Sequence, residues 1–380
     1  MTIEVLRVIW WLILGVLFMG FAIMDGFDLG AAALMPWVAK NETEKRVVLN
    51  AIGPFWEGNQ VWIITGAGAI FAAWPLVYAV AFSGAYFAVL LLLLTMGISR
   101  PVSFKYRSKL KNTTWRSLWD VLVFTGGFVP AIVFGVLVGN LLTGLPFYFD
   151  ENLRLFYSGT FLSLFTPFTL LCGITSLFML TMHGGLYLAI KTNGAIRTRA
   201  ILSSRLSAIA LIICFAIAGV MVAFYLPGYQ VVSGVNTLGY SNPIHKEVVS
   251  NVGMWLLNYA TYPMLLAVPA VGFLGAFMAF LTANGGQSRV AFVFSSVSII
   301  GVIGTMGVSM FPFILPSSTN LASSLLVWDA SSSQLTLLIM LVAVIIFLPI
   351  ILLYTAWVYR ALRGKISLEM IEKDESHTMY

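Results

Sequence analysis

An all-α integral membrane protein of nine transmembrane helices, with its N-terminus on the outer (periplasmic) side and its C-terminus in the cytoplasm, is the fold class that three observations predict. Of 380 residues, 59% are hydrophobic and 9% charged, against roughly 25% charged in a soluble domain; mean hydropathy is +0.94. Apolar runs long enough to cross a bilayer, about 20 residues each, recur along the whole chain. Lysine and arginine gather in alternate connecting segments, as they do in cytoplasmic loops.

The runs lie near 5–24, 56–74, 77–98, 121–142, 163–185, 204–226, 256–282, 290–312 and 335–358, within a single multi-pass membrane domain over 1–380. The first resembles a secretory signal, but its apolar stretch is too long and Asp25 and Asp28 precede the small residues Ala31 to Ala33, so it reads as a retained span. The second opens on the polar cluster Glu57, Asn59 and Gln60 and is loosened by Gly66 and Gly68. Only the corner Trp74-Pro75-Leu76 separates it from the third, where the proline stops one helix and can open the next. The prolines of "MFPFILPSSTN", 310–320, demand an irregular outer segment. Asp329 or the serines after it can cap the last span.

With the N-terminus outside, 18 of the 21 basic residues fall on inner segments, Lys373 of the tail among them, and only Arg7, Arg154 and Lys246 fall outside. Leaving 56–74 out of the membrane puts 16 inside and 5 outside, a weaker asymmetry. The net charge of +6 therefore describes loops beside anionic phospholipid, and no nucleic-acid partner is needed.

No Cys/His spacing suits a metal. Cys172 and Cys214 sit in separate spans and read as buried small apolar residues rather than a disulfide. Of the three histidines, His377 lies in the tail and His245 in an outer loop, leaving His183 alone within a span. Membrane b-type haems commonly take histidine ligands, so a self-contained haem protein is not expected, and His183 reads as a hydrogen-bonded structural residue or a single ligand. Most tryptophans, Trp10, Trp11, Trp74, Trp328 and Trp357 among them, fall near interfaces and read as anchors. Trp56 and Trp62 flank the polar cluster and suit packing.

The embedded acids are the candidate site. Asp25 and Asp28 share one face if the first helix continues through Gly26, and Glu57 and Arg100 fall at a similar inner depth on the next two spans. Either Arg100 locks these carboxylates as a structural ion pair, or the acids belong to a proton or ion path, the default reading of intramembrane acids. Glu57 is the strongest candidate for the latter. A proton-coupled secondary transporter could use the same acids. Against it, the acids crowd one end of the membrane and no paired interrupted helices appear in two halves. A purely structural subunit that handles no protons is a further alternative.

"DGFDLG", "FWEGNQVWIITGAGAIFAAWP", "SGAYFAVLLLLLTMGISRPVSFKYRSK", "SNPIHKEVV", "FPFILPSST" and "WDASSSQLTLLIMLVAVIIFLPIILLYTAW" occur in order along the whole chain. Together they resemble subunit II of the cytochrome bd quinol oxidases. That resemblance implies two four-helix bundles plus one peripheral helix, in a bacterial inner membrane. It implies pairing with subunit I, which holds two b-type haems and one d-type haem, and with small single-span accessory subunits. The expected activity is oxidation of ubiquinol or menaquinol coupled to reduction of O2 to water, with protons taken from the cytoplasm. Position by position, the resemblance places Glu57 on the proton route, where aspartate is common, and Trp62 beside oxygen access. Asp25, Asp28 and Arg100 match motifs of structural or proton-path support. A structural ubiquinone in this subunit is implied without a location.

Overall fold

The structure is a computed structural model and describes residues 1–372; Lys373 and His377 lie outside the described residues. Helix α1 runs Ile3–Val38, α2 Glu42–Ile52, α3 Trp56–Ala73, α4 Pro75–Gly84 and α5 Tyr86–Leu92. A π-helical turn, Leu93–Ser99, leads directly into α6, Arg100–Tyr106. Helices α7 (Thr113–Thr143), α8 (Pro167–Lys191), α9 (Gly194–Phe224), α10 (Leu257–Thr261), α11 (Ala267–Asn284), α12 (Ser288–Met310), α13 (Gln334–Ala361) and α14 (Leu368–Glu372) follow.

Eight helical stretches among the described residues are long and apolar enough to cross a membrane. A helix, α3, also forms at the second expected span, but it is not one of the eight, because its polar opening dilutes its hydropathy. Several expected boundaries shift, the starts near 121, 204 and 256 among them. The first span continues well beyond 24, so "DGFDLG" lies inside an unbroken helix rather than at its end. The third begins at Pro75 and breaks at Ala85 before resuming.

Capping sets several starts. The Asn41 side chain accepts from Glu44 N at 2.9 Å, and Thr166 and Thr169 form a reciprocal box ahead of α8, with Pro167 opening the helix. Ser333, not Asp329, caps α13 by accepting from Thr336 N at 3.2 Å.

Helix α1 packs against α3, α7 and α8; α8 packs in turn on α7, α9 and α12, and α11 joins α9 and α12. Close approach of α1 to α8 depends on glycine: a Cβ at Gly30 would run into the Leu180 carbonyl, and one at Gly184 into the backbone of Gly30 and Ala31. Small residues at such crossings let backbones pack without a hydrophobic drive from water. Helix α13 meets α1 and α3 near its ends, while Ile345, Ile346, Ile350, Leu353 and Trp357 stay exposed along its length.

The end of the bundle that carries Lys105 and Arg107, the basic end, is held by ion pairs. Arg107 bridges Asp120 and Glu42, the latter at 2.6 Å, and Arg199 reaches Glu44 at 2.5 Å. Burial works to raise the Glu44 carboxyl, but hydrogen bonds from Lys40 N and Arg199 outweigh it and hold the group below its ordinary value.

At the opposite end three antiparallel hairpins close the bundle: β1 (Phe147–Phe149) with β2 (Leu155–Tyr157), β3 (Pro227–Ser233) with β4 (Glu247–Val252), and β5 (Phe313–Leu315) with β6 (Leu325–Leu326). "FPFIL" is thus partly strand. Arg7 is fully buried beneath this cap, donating to Ser331 Oγ and Thr237 O, each at 2.7 Å. Trp10 and Trp74, expected as interface anchors, are core residues instead; their indoles donate to Leu337 O and Val327 O.

Lys246 and Asp329 pair at 2.7 Å in the same cap. Burial lowers the Lys246 ammonium and raises the Asp329 carboxyl, and the pairing recovers only part of each shift. A carboxyl raised in the folded state binds protons there that the unfolded chain has released. Cap stability is therefore expected to fall as pH rises from the ordinary value of 3.8 through the raised value. Hydrogen exchange at the Leu326 and Val248 amides should follow that slope, and Asp329→Asn should flatten it.

Candidate functional site

The unbroken course of α1 through Gly26 places Asp25 and Asp28 on one face, both fully buried. Arg100 reaches Asp25 from the first residue of α6. The π turn before it, in which Ser99 Oγ donates to Leu94 O at 2.6 Å, holds one residue more than an α turn and aims Arg100 inward. Gly126 on α7 leaves the room, since a Cβ there would stand 2.7 Å from Arg100 Cβ. One guanidinium nitrogen of Arg100, Nη2, donates to both Asp25 oxygens, at 2.8 and 3.2 Å.

Asp28 takes a different partner. Asn59 Nδ2 donates to Asp28 Oδ2 at 2.7 Å, and the Tyr359 hydroxyl of α13 donates to Asn59 Oδ1 at 2.6 Å. Asp28 Oδ1 and Arg100 Nε and Nη1 have no hydrogen-bond partner among the described residues, although all are buried. Two fully buried carboxyls thus stand beside one guanidinium that bonds only Asp25. Such a set is suited to hold or pass a proton, because an ionised carboxylate left without a counter-charge is costly there.

Glu57 departs from expectation. It does not join Asp25, Asp28 and Arg100; its side chain is 70% exposed and lies 3.9 Å from Lys105, itself 62% exposed. The reason is helical phase: Asn59, two residues on, faces α1, which turns Glu57 outward at the basic end. Trp62 packs against α1 where Gly20 leaves space for its ring. Trp56 is buried near Phe104, their rings 6.2 Å apart.

His183 is fully buried, with Nδ1 bonded to Ser295 Oγ at 2.7 Å, Nε2 to Ile23 O at 2.9 Å, and Phe292 stacked on its ring at 4.2 Å. Both ring nitrogens are thus engaged in hydrogen bonds within the bundle. The cysteines are free and half-buried rather than fully buried. Among the described residues no group of three or more His, Cys, Asp or Glu could hold a metal ion.

Sequence reading named Asn59 only as part of a polar cluster and passed over Tyr359. A lone amide facing two acids one helix away was the available signal for the first. Nothing local distinguishes the second from the aromatic residues around it.

Long apolar helices packed around a buried acid and guanidinium cluster define a multi-pass membrane protein. The profile of the cytochrome bd terminal oxidase subunit II family matches residues 6–362. The chain is 48% identical over 377 residues, 99% of both chains, to Cytochrome bd-I ubiquinol oxidase subunit 2 of Escherichia coli K12. It is 46% identical, again over 99% of both, to Probable cytochrome oxidase subunit 2 of Haemophilus influenzae. A solved structure of bd oxidase from Geobacillus thermodenitrificans shares the fold at 15% identity, with a TM-score of 0.62 over 94% of this chain and 98% of that one. The chain belongs to the cytochrome bd terminal oxidase subunit II family. It is accordingly a subunit of a quinol-oxidising terminal oxidase and a multi-pass protein of the bacterial inner membrane; the transporter alternative gives way to this.

Proposed function

We propose that this chain is the haem-free subunit of its oxidase, crossing the membrane nine times as two four-helix groups plus peripheral α13, with the basic end in the cytoplasm. The chain's 18 inner basic residues support that orientation, and the engaged nitrogens of His183 support placing the two b-type haems and the d-type haem in subunit I. Those haems supply the redox chemistry by which quinol is oxidised and O2 reduced to water.

Subunit I covers the faces that this chain leaves bare: Ile64 and Phe71 of α3, Phe87 and Leu93 after the break, and the length of α13. Apolar surface on this scale marks an interaction face. Glu57 lies beside those faces, at the cytoplasmic mouth of a route, where it collects protons with Lys105 nearby. Asp28 Oδ1 and Oδ2 and the Asp25 carboxyl then hold a proton within the membrane, and Arg100 balances the charge left when it moves on. Trp62, on the same helix, borders oxygen access. A bound ubiquinone and small accessory subunits complete the assembly.

One observation carries the proton reading: two fully buried carboxyls lie three residues apart on one helix, and the buried guanidinium beside them bonds only one of them, Asp25. In assembled enzyme with full haem content, Asp28→Asn is expected to lower quinol-driven oxygen uptake about a hundredfold or more, the lower end of the range for a lost proton-transfer group. Glu57→Gln should slow it less, since an exposed mouth residue is partly replaceable by water. Normal turnover in both variants would leave this chain a structural subunit only.

A further inference from the structure

Helix α13 is linked to Asp28 through Asn59, whose Oδ1 accepts from the Tyr359 hydroxyl. We infer that Tyr359 is a positioning residue for Asp28, acting through Asn59: its hydroxyl fixes which end of the Asn59 amide faces the carboxyl, and so sets how readily Asp28 Oδ2 takes a proton. This rests on reading Asp25 and Asp28 as proton-holding groups.

An amide has an accepting and a donating end, and which one faces a neighbour follows from the bonds made by the other. Asn59 is 1% exposed, so neither end has solvent to turn to. With Oδ1 accepting from the Tyr359 hydroxyl at 2.6 Å, Nδ2 is left facing Asp28 Oδ2 at 2.7 Å. A donor at that distance favours the ionised carboxyl over the protonated one, and donation into Oδ1 polarises the amide and strengthens its N–H.

Tyr359 is itself fixed. Its ring stacks on Phe55 at 4.6 Å and meets Phe27 edge-on at 6.3 Å. Just beyond it, Lys191 Nζ donates to Leu362 O and Gly364 O, while Ile366 N donates to Lys191 O at 2.9 Å. The end of α13 is thereby fastened to the end of α8, and the hydroxyl cannot drift from the amide without breaking that fastening.

The other groups around Asp28 are accounted for. Asp25 on α1, Arg100 on α6 and Tyr187 on α8 act on it electrostatically. Helix α7 presents Gly126 and Gly127 near Arg100 and Leu29, and α12 presents Phe292 to Phe27. Asn59 is therefore the neutral donor of the set, and Tyr359 decides its orientation.

The test is Tyr359→Phe, which keeps the stacked ring and removes the hydroxyl, in assembled enzyme with full haem content. Two readouts are taken: the pH profile of quinol-driven oxygen uptake, and the carboxylic C=O infrared band that Asp28→Asn abolishes. The expected result is an acid limb moved to higher pH by about half a unit to one unit, equivalent to a three- to tenfold change in proton affinity, with a matching shift in the midpoint of the band. In an Asn59→Leu background, Tyr359→Phe should then change nothing further. An unmoved profile and band, or an equal effect in the Asn59→Leu background, overturns the inference. If Asp28→Asn turns over normally while Tyr359→Phe still moves the band, the positioning stands and the proton route fails.

Discussion

Gly30→Val is expected to abolish accumulation of the assembled oxidase. A Cβ at this position would overlap the carbonyl of Leu180, and the reciprocal Gly184 faces the backbone of Gly30 and Ala31. Both obstacles are main chain, so no change of rotamer relieves them. Overpacking against side chains costs about 1–3 kcal/mol, and here the backbones of α1 and α8 must separate along their crossing. The measurement is haem-containing complex recovered through a tag on this chain. Gly15→Val is the matched control, since nothing lies within 4 Å of a Cβ there; it should assemble normally.

Arg100→Leu is expected to be nearly as damaging, for an electrostatic reason. Arg100 and Asp25 are both fully buried and bonded at 2.8 Å. Removing one partner of a buried pair costs about 3–5 kcal/mol because the other charge is stranded. The double change Asp25→Asn with Arg100→Leu strands no charge at that pair and should recover assembled complex relative to the single variant. It should not recover turnover, if the carboxyls handle protons. Thermal stability of the purified complex and quinol-driven oxygen uptake separate the two effects. A double variant no better assembled than the single one would mean that Arg100 matters for its volume rather than its charge.

What could be read from the sequence followed from properties that act along the chain. Long apolar runs and the clustering of basic residues locate helices without any knowledge of neighbours, and the i, i+3 spacing of Asp25 and Asp28 fixes a shared face once the helix is continuous. Glu57 was misplaced because phase within α3 depends on where the helix begins, and two residues decide between facing α1 and facing outward. Lys246 and Asp329 lie 83 positions apart in the sequence, and Tyr359 and Asn59 lie 300 apart; no local pattern joins such pairs. Trp10 and Trp74 misled for a related reason. Their position near a helix end suggested anchoring at the membrane surface, but the hairpins at that end fold back over them and turn the interface into core.

The π turn at Leu93–Ser99 makes the count of residues, as well as their identity, a determinant of charge placement. An α-helix advances about 100° per residue, and a π turn absorbs one residue without breaking the helix. Losing a single apolar residue from this stretch would leave its composition and hydropathy almost untouched. That loss would turn the π turn into an ordinary α turn and keep Arg100 and Arg107 in phase. Gaining a residue, with the spare one already absorbed, would rotate both by about a quarter of a circle, away from Asp25, Asp120 and Glu42. In this segment the reading frame of the helix is part of the site.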